Sequence, residues 1–141
     1  MLSDDLQMKG HLTIALNGET VFDVPNLVVT TGKNFVASRI KDATTAAMSH
    51  MAIGTVSTAA VATDSALGGE SARVALASTT VTGNVVNYIA SFPAGTGTGA
   101  ITEAGLFNAN TVGTMFCRTT FAVVNKGASD SMTITWSVTV S

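Results

Sequence analysis

The stretch SMTITWSVTV, residues 131–140, alternates without a break. Met132, Ile134, Trp136, Val138 and Val140 are apolar, while Thr133, Thr135, Ser137 and Thr139 are polar. A helix would spread both sets around its circumference. A strand separates them onto two faces, so this period of two specifies a strand with one buried side. Trp136 is the expected core anchor of that side. The other end of the chain repeats the pattern. Leu6, Met8, Leu12, Ile14 and Leu16 share one face, with Gln7, Lys9, His11 and Thr13 on the other.

Asn17-Gly18 then marks a hairpin. A two-residue loop sets Leu16 opposite Glu19 and Leu12 opposite Asp23. One more loop residue sets Leu16, Ile14 and Leu12 opposite Thr20, Phe22 and Val24, which keeps the apolar face together. The second register is the expected one, with a bulge at the turn and Gly18 outside the left-handed position. Pro25 is expected to close the strand.

Between the two ends, turn signals recur at short intervals. Phe35, Val36, Arg39 and Ile40 have helical spacing after a Thr31 cap, which predicts one helix over 32–41. A short strand follows near 49–54. Next comes a small-residue loop in which Asp64 is expected to cap a single helical turn. RVAL at 73–76 begins another strand. Residues 79–92 read as a hairpin around Gly83-Asn84, with Val86, Tyr88, Ala90 and Phe92 on one face. Composition makes PAGTGTG, 93–99, a mobile loop. AITEAGLF and TMFCRTTF flank the turn NANTVG, and ASDS at 128–131 precedes the terminal strand. Eight or nine strands with one helix predict an all-β domain, a β-sandwich of jelly-roll or immunoglobulin-like type. The 141 residues fit a single domain, with residues 1–5 as an extended N-terminal arm.

Composition narrows the function. Charged residues make up only 11%, less than half the usual share of about 25%. Such a surface suits a protein packed against others. Lys and Arg are scattered singly and the net charge is −2, so no basic patch for nucleic acid is expected. No apolar run approaches the length of a membrane span, and the acidic start MLSDDLQMKG has no signal-peptide pattern. The single cysteine, Cys117, reads as a small buried hydrophobe.

The stretch ITEAGLFNAN, 101–110, puts one carboxylate, Glu103, among small and apolar neighbours. If NANTVG joins two antiparallel strands, Phe107 pairs with Thr114, Gly105 with Phe116, and Glu103 with Arg118. Opposite charges placed so contribute roughly 0.2–1 kcal/mol in a sheet. Glu103 and Arg118 are therefore expected to form a structural cross-strand pair, and no catalytic residue is assigned. TGKN, 31–34, has Leu27 where a phosphate loop needs glycine. GESAR, 69–73, misses the nucleophile elbow at its last residue. His11, His50 and Cys117 make a poor start toward a metal site, so neither metal nor cofactor is expected.

Several stretches taken in order carry a resemblance. NLVVTTGKNFVASRI, MAIGTVSTAAVATDSALGGESARVAL, VVNYIASFPAGTGTGAITEAGLFNAN and GTMFCRTTFAVVNKGASDSMTITWSVTV resemble small structural proteins of tailed bacteriophages, from about residue 9 to 141. Val56 departs from the pattern, which often has Gly after IGT. The resemblance implies a β-sandwich-like fold acting in many copies, located in the virion and bringing no catalytic residues. The expected role is a capsid decoration (cement) protein on the capsid exterior, a homotrimer bridging major capsid protein subunits. The alternative is a tail or tail-fibre-attachment component that contacts the host. An enzyme such as a glycan hydrolase is disfavoured, because no pair of acids stands out.

Overall fold

The computed structural model describes residues 6–41 and 45–141. The expected arm, Met1–Asp5, lies outside the described residues. Among the described residues, nine strands and one helix follow in the order β1 (Met8–Leu16), β2 (Glu19–Val28), α1 (Thr30–Lys41), β3 (His50–Gly54), β4 (Glu70–Ala75), β5 (Ser78–Thr82), β6 (Val85–Phe92), β7 (Gly99–Phe107), β8 (Met115–Lys126) and β9 (Met132–Val140). The fold is all-β. Every ladder is antiparallel, and the strands form one continuous curled sheet in the order β4-β3-β7-β8-β2-β1-β9-β6-β5.

The two halves of that sheet meet at a narrow seam. The ladder between β2 and β8 has only two pairs, Leu27 opposite Arg118 and Val28 opposite Cys117, while the Phe22 and Phe121 rings also meet with centroids 6.1 Å apart. Pro25 does not end β2, contrary to expectation. At Pro25 the strand has a ladder with β1 alone, so one side of its backbone needs no N–H donor. The Pro25 carbonyl accepts from the Thr119 hydroxyl at 3.0 Å.

The curl encloses one main core. Leu12 and Ile14 of β1, Met51 and Ile53 of β3, Ala90 and Phe92 of β6, Ile101 and Leu106 of β7, and Ile134 and Trp136 of β9 are all fully buried in it. The alternation read in β1, β6 and β9 is therefore the inward face of the curl. A second cluster, Val29, Ala52, Leu67, Phe107 and Met115, lies apart from the main core. Leu67 brings the 55–69 loop into this cluster, so that segment is packed against the fold.

Local expectations were corrected in instructive ways. The β1–β2 hairpin uses both registers considered. Leu16 faces Glu19 at the tip, whereas Ile14 faces Phe22 and Leu12 faces Val24 further down. Val21 is the extra residue that reconciles them. The turn has two residues, with Asn17 at φ 51° and Gly18 at φ 82°, so Gly18 does occupy the left-handed region. The helix starts earlier than predicted, and Thr31 lies inside its first turn rather than capping it. The Thr31 hydroxyl donates to the Met115 carbonyl at 2.7 Å. Gly32 allows α1 to sit against the β8 backbone, because a Cβ there would stand 2.1 Å from the Phe116 carbonyl oxygen. Asp64 caps no helical turn. Its carboxylate accepts from the Val61 amide at 2.9 Å in a tight bend.

The β7–β8 register also differs. Phe107 pairs with Met115, Gly105 with Arg118 and Glu103 with Thr120. The ladder shifts by one residue at the turn and by another at Phe116. Two one-residue shifts restore the face that one would have reversed. Glu103 and Arg118 thus become diagonal neighbours on the same side of the sheet.

Candidate functional site

Glu103 is completely buried, and Arg118 is 3% exposed. The guanidinium donates to Glu103 Oε1 from Nε at 3.2 Å and from Nη2 at 3.0 Å. The remaining donors come from the 55–69 segment and its junction with β4. Gly68 N reaches Oε1 at 2.8 Å, Gly69 N reaches Oε2 at 2.7 Å, and Val56 N reaches Oε2 at 3.1 Å. Arg118 continues outward, from Nη1 to Asp64 Oδ2 at 2.9 Å and from Nη2 to the Thr58 carbonyl at 3.1 Å. One carboxylate and one guanidinium therefore fasten the loop at both ends and in the middle.

Gly54 makes the closure possible. A Cβ there would lie 2.5 Å from the Gly69 carbonyl oxygen and 2.6 Å from Glu103 Oε2. The IGT glycine of the sequence is thus a close-approach position, where the loop and the carboxylate both press on bare backbone.

Chemically this is a holding arrangement. A carboxylate offers about four lone-pair positions, and donors surround this one. A general acid or base must reach a substrate proton, and Glu103 has no exposed atom with which to do so. Burying such a pair is favourable only when its remaining hydrogen-bonding capacity is met, as the loop amides do here.

Other residues singled out from the sequence lie elsewhere. Trp136 is fully buried in the main core, and its indole N–H has no hydrogen-bond partner among the described residues. Cys117 is buried at the seam, and burial pushes its thiol up from 9.0 to about 12, the Asn26 side chain offsetting part of that rise. His11 pairs with Asp23 on exposed faces of β1 and β2, and His50 contacts the Ser49 hydroxyl at 2.7 Å. Ser71 is a strand residue whose hydroxyl donates to the Ile53 carbonyl at 3.2 Å. Among the described residues, no three His, Cys, Asp or Glu side chains gather as a metal-binding group.

Three groups escaped sequence reasoning. Asp64 is the third charge of the Glu103–Arg118 cluster. Lys126 is 1% exposed, and its amine donates to the carbonyls of Pro93 at 2.9 Å and Asp130 at 2.8 Å. Arg73 forms a two-pronged pair with Glu70 at 2.9 and 2.7 Å, lies 3.8 Å over the Phe107 ring, and donates to the Ala109 and Val112 carbonyls. That grip holds Val112 at φ 54°, an unusual value for a β-branched residue. The only advance signal was a lone cation beside a turn, in GESAR and in NKG. A cleft of about 650 Å³ borders β1, β2 and α1, with Lys9, His11 and Lys33 around it. None of the Glu103 cluster lines it.

Comparison of the chain with family models, with curated proteins and with solved structures finds no match.

Proposed function

We propose that the protein is a structural component of a tailed-bacteriophage virion, and within that class a capsid decoration protein. In this reading it forms a homotrimer on the outer shell and bridges neighbouring major capsid subunits. Its mechanism is burial of surface across subunit boundaries, repeated by the symmetry of the lattice, so that no single contact need be strong.

One observation carries the reading. Three of the four stretches on which the phage resemblance rests are distant in sequence, yet they converge on one place in the fold. IGTV supplies Gly54 and the Val56 amide, TDSALGGE supplies Asp64 and the Gly68 and Gly69 amides, ITEAGLF supplies Glu103, and CRTTF supplies Arg118. The shared pattern is thus a fastening of the scaffold. This supports a family defined by a rigid framework. The low charge of the surface supports the same reading, since few ions need be stripped of water when such a surface meets a partner.

The test is reconstitution. Phage particles lacking the protein are mixed with the purified chain, and the temperature at which they release DNA is measured. The proposal expects the chain to bind the shell and raise that temperature. Failure to bind shells, together with binding to tails, would transfer the protein to the tail or fibre-attachment role. Binding to neither would refute the virion reading.

A further inference from the structure

We propose that Asn17 is a site of spontaneous deamidation which the fold keeps silent, and that its conversion unlocks the joint between the β1–β2 and β8–β9 turns. The sequence contains one Asn-Gly step, Asn17-Gly18. Glycine leaves the following backbone nitrogen unshielded by a side chain. That nitrogen attacks Asn17 Cγ, the Cγ–Nδ2 bond breaks, and the amide departs as ammonia with the proton from the Gly18 nitrogen. A succinimide closes. Water then opens either ring carbonyl to leave aspartate or isoaspartate, and no oxidant or reductant is needed.

The fold engages both polar atoms of the side chain that must react. Asn17 Nδ2 donates to Asp130 Oδ1 at 2.9 Å, and the Ser131 amide donates to Asn17 Oδ1 at 3.0 Å. The Asn17 amide adds a bond to the Ser131 carbonyl at 2.8 Å. Cyclisation therefore requires the carboxamide to leave both partners. The joint extends further. Asp130 Oδ2 accepts from the Gly127 amide at 2.7 Å, and its backbone carbonyl accepts from buried Lys126, which also holds the Pro93 carbonyl of the β6–β7 loop. Three connections are tied together at Asp130.

Conversion would reverse the central contact. A carboxylate at position 17 has no proton to donate and would face the Asp130 carboxylate. The Asn17 hydrogen bond is the main influence holding the Asp130 carboxyl below its ordinary value, followed by the Gly127 amide. An isoaspartate would also insert a backbone methylene into a two-residue turn. A chain that opens at this end would thus be marked and hindered from closing again.

The experiment incubates the intact protein at mildly alkaline pH and follows the tryptic peptide of residues 10–33 by mass spectrometry, scoring aspartate and isoaspartate at position 17. Folded wild type should convert slowly and urea-unfolded wild type much faster. Asp130→Ala should convert measurably faster than wild type, because one of the two hydrogen bonds that hold the carboxamide is then missing. Equal rates in folded and unfolded wild type would overturn the protection. So would a folded Asp130→Ala protein with the wild-type rate. Should Asp130→Ala fail to fold, Asn17→Asp decides: its melting temperature should fall and recover when Asp130→Asn is added. An Asn17→Asp protein as stable as wild type would overturn the unlocking.

Discussion

Cys117 and Tyr88 are held protonated by burial. Tyr88 is pushed up from 10.0 to about 12, first by desolvation, then by Cys117, with Arg39 opposing. Cys117 moves in the same direction for the same leading reason. Both groups are neutral when protonated, and both bind their protons more tightly in the folded chain. Unfolding therefore releases protons once the pH exceeds the unfolded values. The stability they contribute is complete below about pH 9 and is lost as the pH rises toward about 12. Urea midpoints measured across that range should fall steeply for wild type and less steeply for Cys117→Ala. An identical decline in both proteins would show that the thiol contributes nothing to alkaline unfolding. Burial of Cys117 was legible from residue type alone. Burial of Lys126 was not, because its acceptors are backbone carbonyls, which every sequence has everywhere.

At the scale of elements, the fastening of the 55–69 loop has a measurable energetic consequence. Arg118→Ala leaves a fully buried carboxylate facing only amides, and losing one partner of a buried pair costs about 3–5 kcal/mol. For a chain of this size that corresponds to a fall in melting temperature of about 10–20 °C. Glu103→Gln should also destabilise, because its NH2 group would meet the Gly68 or Gly69 amide donor to donor. A melting temperature unchanged by Arg118→Ala would contradict the fastening. The pair itself was legible, since oppositely charged residues flanked one turn. The register was not. The bulge at Phe116 leaves no periodic signature, and the pairing survived only because the total shift was even. The first hairpin teaches the same lesson. Turn chemistry demanded one register and the apolar face demanded another, and the chain satisfies both by inserting Val21 between them.

The whole molecule lay furthest from the sequence. Alternation identified strands in β1, β6 and β9, but no local pattern says that β9 lies between β1 and β6, or that β2 connects two halves of a curled sheet through two residue pairs. Those choices are made by long-range packing around Trp136 and its neighbours. The Glu103 cluster was half legible for the same reason. The two charges read from the sequence, Glu103 and Arg118, lie 15 apart in the chain, whereas Asp64 and the loop amides reach them across 34 to 54 positions. Function is proposed at this scale as well, as a property of many copies rather than of one pocket. The most direct test is the number of copies per virion, by quantitative mass spectrometry of purified particles with the major capsid protein as reference. The decoration role predicts a number near parity with capsid subunits. A count of only a few to a few tens of copies would contradict it and place the chain on the tail.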